Sequence, residues 1–71
     1  MPGKSRTELR NVLMQEALIR TREGIRLAKM ARALESKGRS ETAELIREAA
    51  RYNEMERIRL RAILDALDGC A

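Results

Sequence analysis

The stretch Leu34-Glu35-Ser36-Lys37-Gly38-Arg39-Ser40-Glu41 decides the fold. Glycine directly after a long helical pattern suits the left-handed position that closes a helix. Two residues later, Ser40 has the side chain of an N-cap. Glu41 and Glu44 then stand in the first turn of a new helix, where the helix dipole favours negative charge. The spacing predicts that one helix stops and another starts within three or four residues. A connection that short forces the two helices to fold back antiparallel.

Outward from this turn the pattern stays helical. Upstream, Ser5 followed by Glu8 has capping-box spacing, with Thr7 as a competing N-cap. Between Arg6 and Lys37 only Gly24 weakens the helix, at a cost of up to about 1 kcal/mol against alanine, so a packing reason for it is expected. Downstream, nothing interrupts the pattern until Gly69. The expected organisation is a frayed leader at 1–5, a helical hairpin at 6–68 and a short tail at 69–71. Within the hairpin, one helix covers 6–37, the turn 38–40 and the second helix 41–67. At 1.5 Å per residue both helices span roughly 40–48 Å.

The composition agrees with an all-α chain. Tyr52 is the one aromatic residue among 71, Val12 the one valine, and Leu, Ala, Glu, Arg and Met dominate. Sheets draw on the β-branched and aromatic residues that are scarce here. The chain has no histidine, and its one cysteine is Cys70. That excludes an intramolecular disulfide, a zinc site of the usual Cys/His kind and a Ser-His or Cys-His catalytic pair. No catalytic residue, metal ligand set or cofactor is therefore expected. No apolar run approaches the roughly 18 residues that span a membrane, and the first residues lack a signal-peptide pattern. The expectation is a cytoplasmic protein without membrane contact.

The net charge is +4. It is unevenly placed. Lys4 and Arg6 contribute two positive charges, residues 7–37 carry seven bases and four acids, and Arg39 adds one more. Residues 40–68 carry five bases and seven acids. Arg10, Arg22, Arg26, Lys29 and Arg32 give the first helix a basic surface that would tolerate nucleic acid or an acidic partner. The chain has neither a set of aromatics for base stacking nor helix-turn-helix spacing. Most charges fall into i,i+3 and i,i+4 pairs, such as Glu16–Arg20, Glu23–Arg26, Glu48–Arg51 and Glu54–Arg57.

Projected at about 100° per residue, each helix has an apolar face. On the first helix it holds Leu9, Leu13, Met14, Ala17, Leu18, Gly24, Ile25, Leu27, Ala28, Ala31 and Leu34. On the second it holds Leu45, Ile46, Ala49, Ala50, Leu60, Ile63, Leu64 and Leu67. A further ridge of Val12, Ile19 and Met30 widens the first face. Two helices cannot cover faces this wide, so two hairpins are expected to pair as a homodimeric four-helix bundle. Three polar residues interrupt the faces: Thr21 on the first helix, Asn53 and Glu56 on the second. They are expected to form a polar layer that sets register, with Arg20 or Arg57 neutralising Glu56. A dimer would offer two copies of Glu56 beside amides and hydroxyls, a weak oxygen site for a metal at best.

Glu16-Ala17-Leu18, Glu23-Gly24-Ile25-Arg26-Leu27 and Met30-Ala31-Arg32-Ala33-Leu34-Glu35-Ser36-Lys37-Gly38 resemble the first helix of a rubrerythrin-like, ferritin-like hairpin. Glu41-Thr42-Ala43-Glu44-Leu45-Ile46-Arg47-Glu48-Ala49-Ala50 resembles the start of its second helix. The resemblance covers roughly residues 14–67. It implies half of a four-helix bundle that in the family surrounds two metal ions, held by a Glu on one helix and a Glu-x-x-His on the next. Aligned on the turn, those ligand positions fall on Thr21, Asn53 and Glu56, so all three family ligands are replaced. A shift by one gives Glu54-Met55-Glu56-Arg57, with Arg57 where His belongs. The resemblance thus implies the fold and the dimer without the iron chemistry. The expected function is a non-catalytic, self-associating hairpin with a structural or protein-interaction role. The alternatives are binding of nucleic acid or an acidic partner through the Arg-rich helix, and a ferritin-like metal binder with a degenerate site.

Overall fold

The computed structural model describes residues 5–69, so residues 1–4 of the expected leader at 1–5, with Lys4, and residues 70–71 of the expected tail at 69–71, with Cys70, lie outside the described residues. Two helices, α1 (Arg6–Ser36) and α2 (Ser40–Gly69), form an antiparallel hairpin. The hairpin is a rod of 55 × 17 × 15 Å with a radius of gyration of 16.3 Å. A compact chain of this length would have a radius near 11 Å.

Local chemistry sets the helix ends. Ser5 Oγ accepts from the Glu8 backbone N–H at 3.2 Å, and Glu8 Oε1 accepts from the Ser5 N–H at 3.2 Å, the complete capping box. At the other end of α1, Gly38 has φ +76°. The Gly38 N–H donates to the Glu35 carbonyl at 2.9 Å and the Arg39 N–H to the Leu34 carbonyl at 2.9 Å. These are the two reverse bonds of a Schellman stop. The start of α2 differs from expectation. The Ala43 N–H donates to the Arg39 carbonyl at 3.0 Å, so Arg39 occupies the cap position and Ser40 is already inside the helix. The reason is economy of chain: the Schellman turn reverses direction so tightly that the next residue enters α2 directly.

The buried and half-buried residues reveal how the helices meet. On α1 they include Arg10, Leu13, Ala17, Arg20, Gly24, Leu27, Ala31 and Leu34. On α2 they include Ala43, Ile46, Ala50, Asn53, Arg57, Leu60, Leu64 and Leu67. Both series alternate steps of three and four, the spacing of an a/d coiled-coil seam. Among the described residues, the others shielded to this degree are Glu23, Thr42, Arg47 and Glu56. Small residues (Ala17, Gly24, Ala31, Ala43, Ala50) alternate with Leu and Ile along the seam, which brings the helices close. The buried apolar core is small: Leu27, Ala31, Ala43 and Leu64. Met14, Leu18, Ile25, Leu45, Ala49 and Ile63, placed on the apolar faces by projection, are exposed in the hairpin. They sit outside the a/d seam, the only strip that one neighbouring helix covers.

Gly38→Ala places a side chain in the left-handed region and is expected to cost about 1 kcal/mol. For a domain of this size that lowers Tm by about 4–8 °C in a thermal melt, with helix content at low temperature unchanged.

Candidate interaction surface

The one buried polar side chain among the described residues is Asn53, 4% exposed at the middle of the seam. Its Nδ2 donates to the Arg20 carbonyl at 2.8 Å, and its Oδ1 accepts from Arg20 Nη1 at 3.4 Å. A Cβ built on Gly24 would lie 3.3 Å from Asn53 Nδ2. This supplies the packing reason for Gly24: the bare backbone leaves room for the amide to reach across to the facing helix. Both polar atoms of the Asn53 side chain are satisfied, so its burial carries no orphan penalty. Arg20 is served less well. Its Nε is buried without a hydrogen-bond partner, with Glu16 Oε1 at 4.0 Å.

The other two polar positions lie elsewhere. Thr21 is exposed, and its hydroxyl donates to the Ala17 carbonyl within α1 at 3.0 Å. It occupies the position next to the seam residue Arg20, so it lies at the rim of the seam rather than within it. Glu56 is half-buried at the flank of the seam, with Arg59 at 3.8 Å. Neither Arg20 nor Arg57 is its partner. Arg20 is held by Asn53, while Arg57 donates to both carboxylate oxygens of Glu54 at 2.9 and 2.6 Å. The three residues therefore do not form one layer in the hairpin. Among the described residues, no three of His, Cys, Asp and Glu converge closely enough to hold a metal ion.

The basic residues sort clearly. Arg10 is bound at the open end of the rod by Asp68, its Nε 2.8 Å from Oδ1. Arg26 is bound by Glu23 at 3.0 Å. Near the turn, Arg47 bridges to Glu35 on α1 at 2.9 Å and to Glu44 at 3.5 Å. Arg51 pairs with Glu44 rather than with the expected Glu48. Each α2 arginine thus has a carboxylate within 4.0 Å. By contrast, among the described residues no ion pair holds Arg22, Lys29 or Arg32. Residues 22–39 contain six bases and two acids, so they account for the entire net charge of the chain.

The two flanks of the seam differ. On one flank a shallow groove runs between the helices. Met14, Leu18, Thr21, Ile25 and Ala28 line its α1 side, and Arg47, Arg51, Glu54, Arg57 and Arg61 its α2 side. Helical spacing puts Val12, Ile19 and Met30 of α1 on the opposite flank together with Leu45, Tyr52 and Ile63 of α2. All six are exposed, Leu45 and Tyr52 to 64% each. This flank draws three large apolar residues from each helix; on the grooved flank α2 contributes Ile58 within a row of ion pairs. No family model, curated protein or solved structure matches the chain.

Two expectations follow from this geometry. Asn53→Ala should cost about 1–2 kcal/mol through two lost hydrogen bonds. Adding Gly24→Ala should recover about 0.5–1 kcal/mol, because alanine favours helix and the crowding amide is gone. In the presence of Asn53 the same Gly24→Ala change should bring no gain, a non-additivity that urea unfolding of the four-member cycle would read. The second expectation concerns pH. Hydrogen bonding to an arginine holds the Glu23, Glu54 and Asp68 carboxyls below their ordinary range, through Arg26, Arg57 and Arg10. A depressed carboxyl contributes stability above its unfolded pKa and loses it as pH falls through the folded value. Melts should therefore show Tm flat near neutrality and declining between about pH 5 and 3. The decline should be shallower in Asp68→Asn.

Proposed function

We propose that the chain is a non-catalytic, self-associating helical hairpin whose working form is a homodimeric four-helix bundle, similar to a metal-free ferritin-like half-bundle, with a structural or protein-interaction role. One observation carries this reading: the hairpin leaves more surface, and more apolar side chains, in water than a finished domain does. Its accessible surface is 5630 Å². A compact protein of this mass exposes roughly 4,500 Å². The excess, roughly 1,100 Å², is of the size that one partner contributes to a stable interface, about 800 Å². Twelve large hydrophobic side chains are exposed against four buried apolar residues. The flank that joins Val12, Ile19 and Met30 to Leu45, Tyr52 and Ile63 suits a second copy, because both helices can bury apolar area there at once. Among the described residues no helix is long and apolar enough to cross a membrane.

Arg22, Lys29 and Arg32, which have no acidic partner among the described residues, favour a second reading: the exposed bases of α1 attract nucleic acid or another polyanion. Retention on DNA or RNA that disappears with moderate salt would support it, and no retention at low salt would remove it.

Sedimentation equilibrium or native mass measurement tests the main reading, with a dimer expected at micromolar concentrations. Ile19→Glu and Tyr52→Glu should each weaken association at least about tenfold, or 1.4 kcal/mol. Leu18→Glu, on the grooved flank, should leave it unchanged. A monomer that persists at high micromolar concentration would overturn the reading.

A further inference from the structure

The unequal charges of the two helices bear on how a second copy is oriented. Two hairpins stacked on one flank have two symmetric arrangements. With the twofold axis along the rod, both turns lie at the same end, and α1 of each copy packs on α2 of the other. With the axis across the rod, the turns lie at opposite ends and each helix packs on its own equivalent. The α1 segment with its turn, residues 6–39, carries nine bases and four acids, net +5. The α2 segment, residues 40–69, carries five bases and seven acids, net −2.

From this we infer that the hairpins pair with both turns at one end, α1 of each copy against α2 of its partner. The inference rests on the self-associating reading above. In this arrangement the positive helices lie on the diagonal of the bundle, and every side of the square joins opposite net charges. The C-terminal half of α1, with the turn, holds the whole excess of the chain and meets the N-terminal half of the partner's α2. That half contributes Glu41 and Glu48, which no described arginine or lysine pairs. In the alternative arrangement that same half of α1 meets residues 6–21 of the partner's α1, which carry three bases and two acids and so no acidic excess. Neighbouring helix axes lie 8–10 Å apart, about one Debye length at physiological salt, so charges on adjacent helices are felt more than those on the diagonal.

Spin labels test the orientation. The full chain with Cys70→Ala carries one label at Ser36→Cys beside the turn, or in a second variant at Asn11→Cys near the open end. Both positions are exposed. Same-end pairing places equivalent labels roughly 15–30 Å apart by pulsed dipolar spectroscopy, for either site. Opposite-end pairing places the Ser36→Cys labels beyond about 40 Å, most of the length of a helix. A dimer with only the long separation overturns this orientation and leaves self-association standing. Absence of any intermolecular coupling, with a monomer by native mass measurement, overturns both.

Discussion

A straight helix shows a single neighbour only the strip formed by its a and d positions, and this limit shapes the whole hairpin. The strip on each helix is about one residue wide. Here it is filled by small residues, a few Leu and Ile, two arginines on α1 and the pair Asn53 and Arg57 on α2. Four apolar residues become buried, and Leu13, Leu34, Ile46, Leu60 and Leu67 are half-covered along the same strip. The large apolar side chains outside the strip stay exposed in the hairpin. The seam therefore explains both why the chain is a hairpin and why twelve large hydrophobic side chains among the described residues are exposed.

Within that seam, Asn53 sets the register. Its amide bonds the Arg20 carbonyl at 2.8 Å beside the glycine that lets it approach. A hydrophobic seam of Ala and Leu would tolerate sliding by a heptad at modest cost. A buried amide has to find the same carbonyl again or remain unpaired, which costs about 1–3 kcal/mol. Once that layer is set, the ends follow: Arg10 meets Asp68, and Arg47 meets Glu35. These end bridges are exposed and weak individually. Their contribution is to tie both ends of the rod in the register that Asn53 selects.

Charge is distributed along the same division. The α2 arginines are each held by a carboxylate, while the free bases sit on the back of α1 and at the turn. Association through the apolar flank would bury the ridge of Val12, Ile19 and Met30 and leave Arg22 and Lys29 facing water. The surface proposed for self-association and the bases proposed to meet polyanions thus involve different side chains of α1, so the two readings do not compete for the same residues.

Much of this was legible in the residues alone. Gly38 marks the turn because few other residues accept a left-handed backbone. Ser5 with Glu8 marks the start because their spacing satisfies two orphan N–H groups at once. The length of the apolar pattern determines two long helices, and the absence of His and the scarcity of Cys exclude whole classes of chemistry. What only the tertiary structure decided was which side chains meet. Thr21 and Asn53 look alike on a helical projection, yet Asn53 falls on the a/d strip and Thr21 one position beside it. A difference of 100° around the helix axis turns one into a buried lock and the other into an exposed hydroxyl bonded to its own helix. Glu56, half-buried at the flank, finds Arg59 instead of Arg20 or Arg57 for the same reason. A projection assigns faces to an isolated helix. The strip that is buried depends on the register and rotation of the neighbour, and those arise from contacts between residues some thirty positions apart.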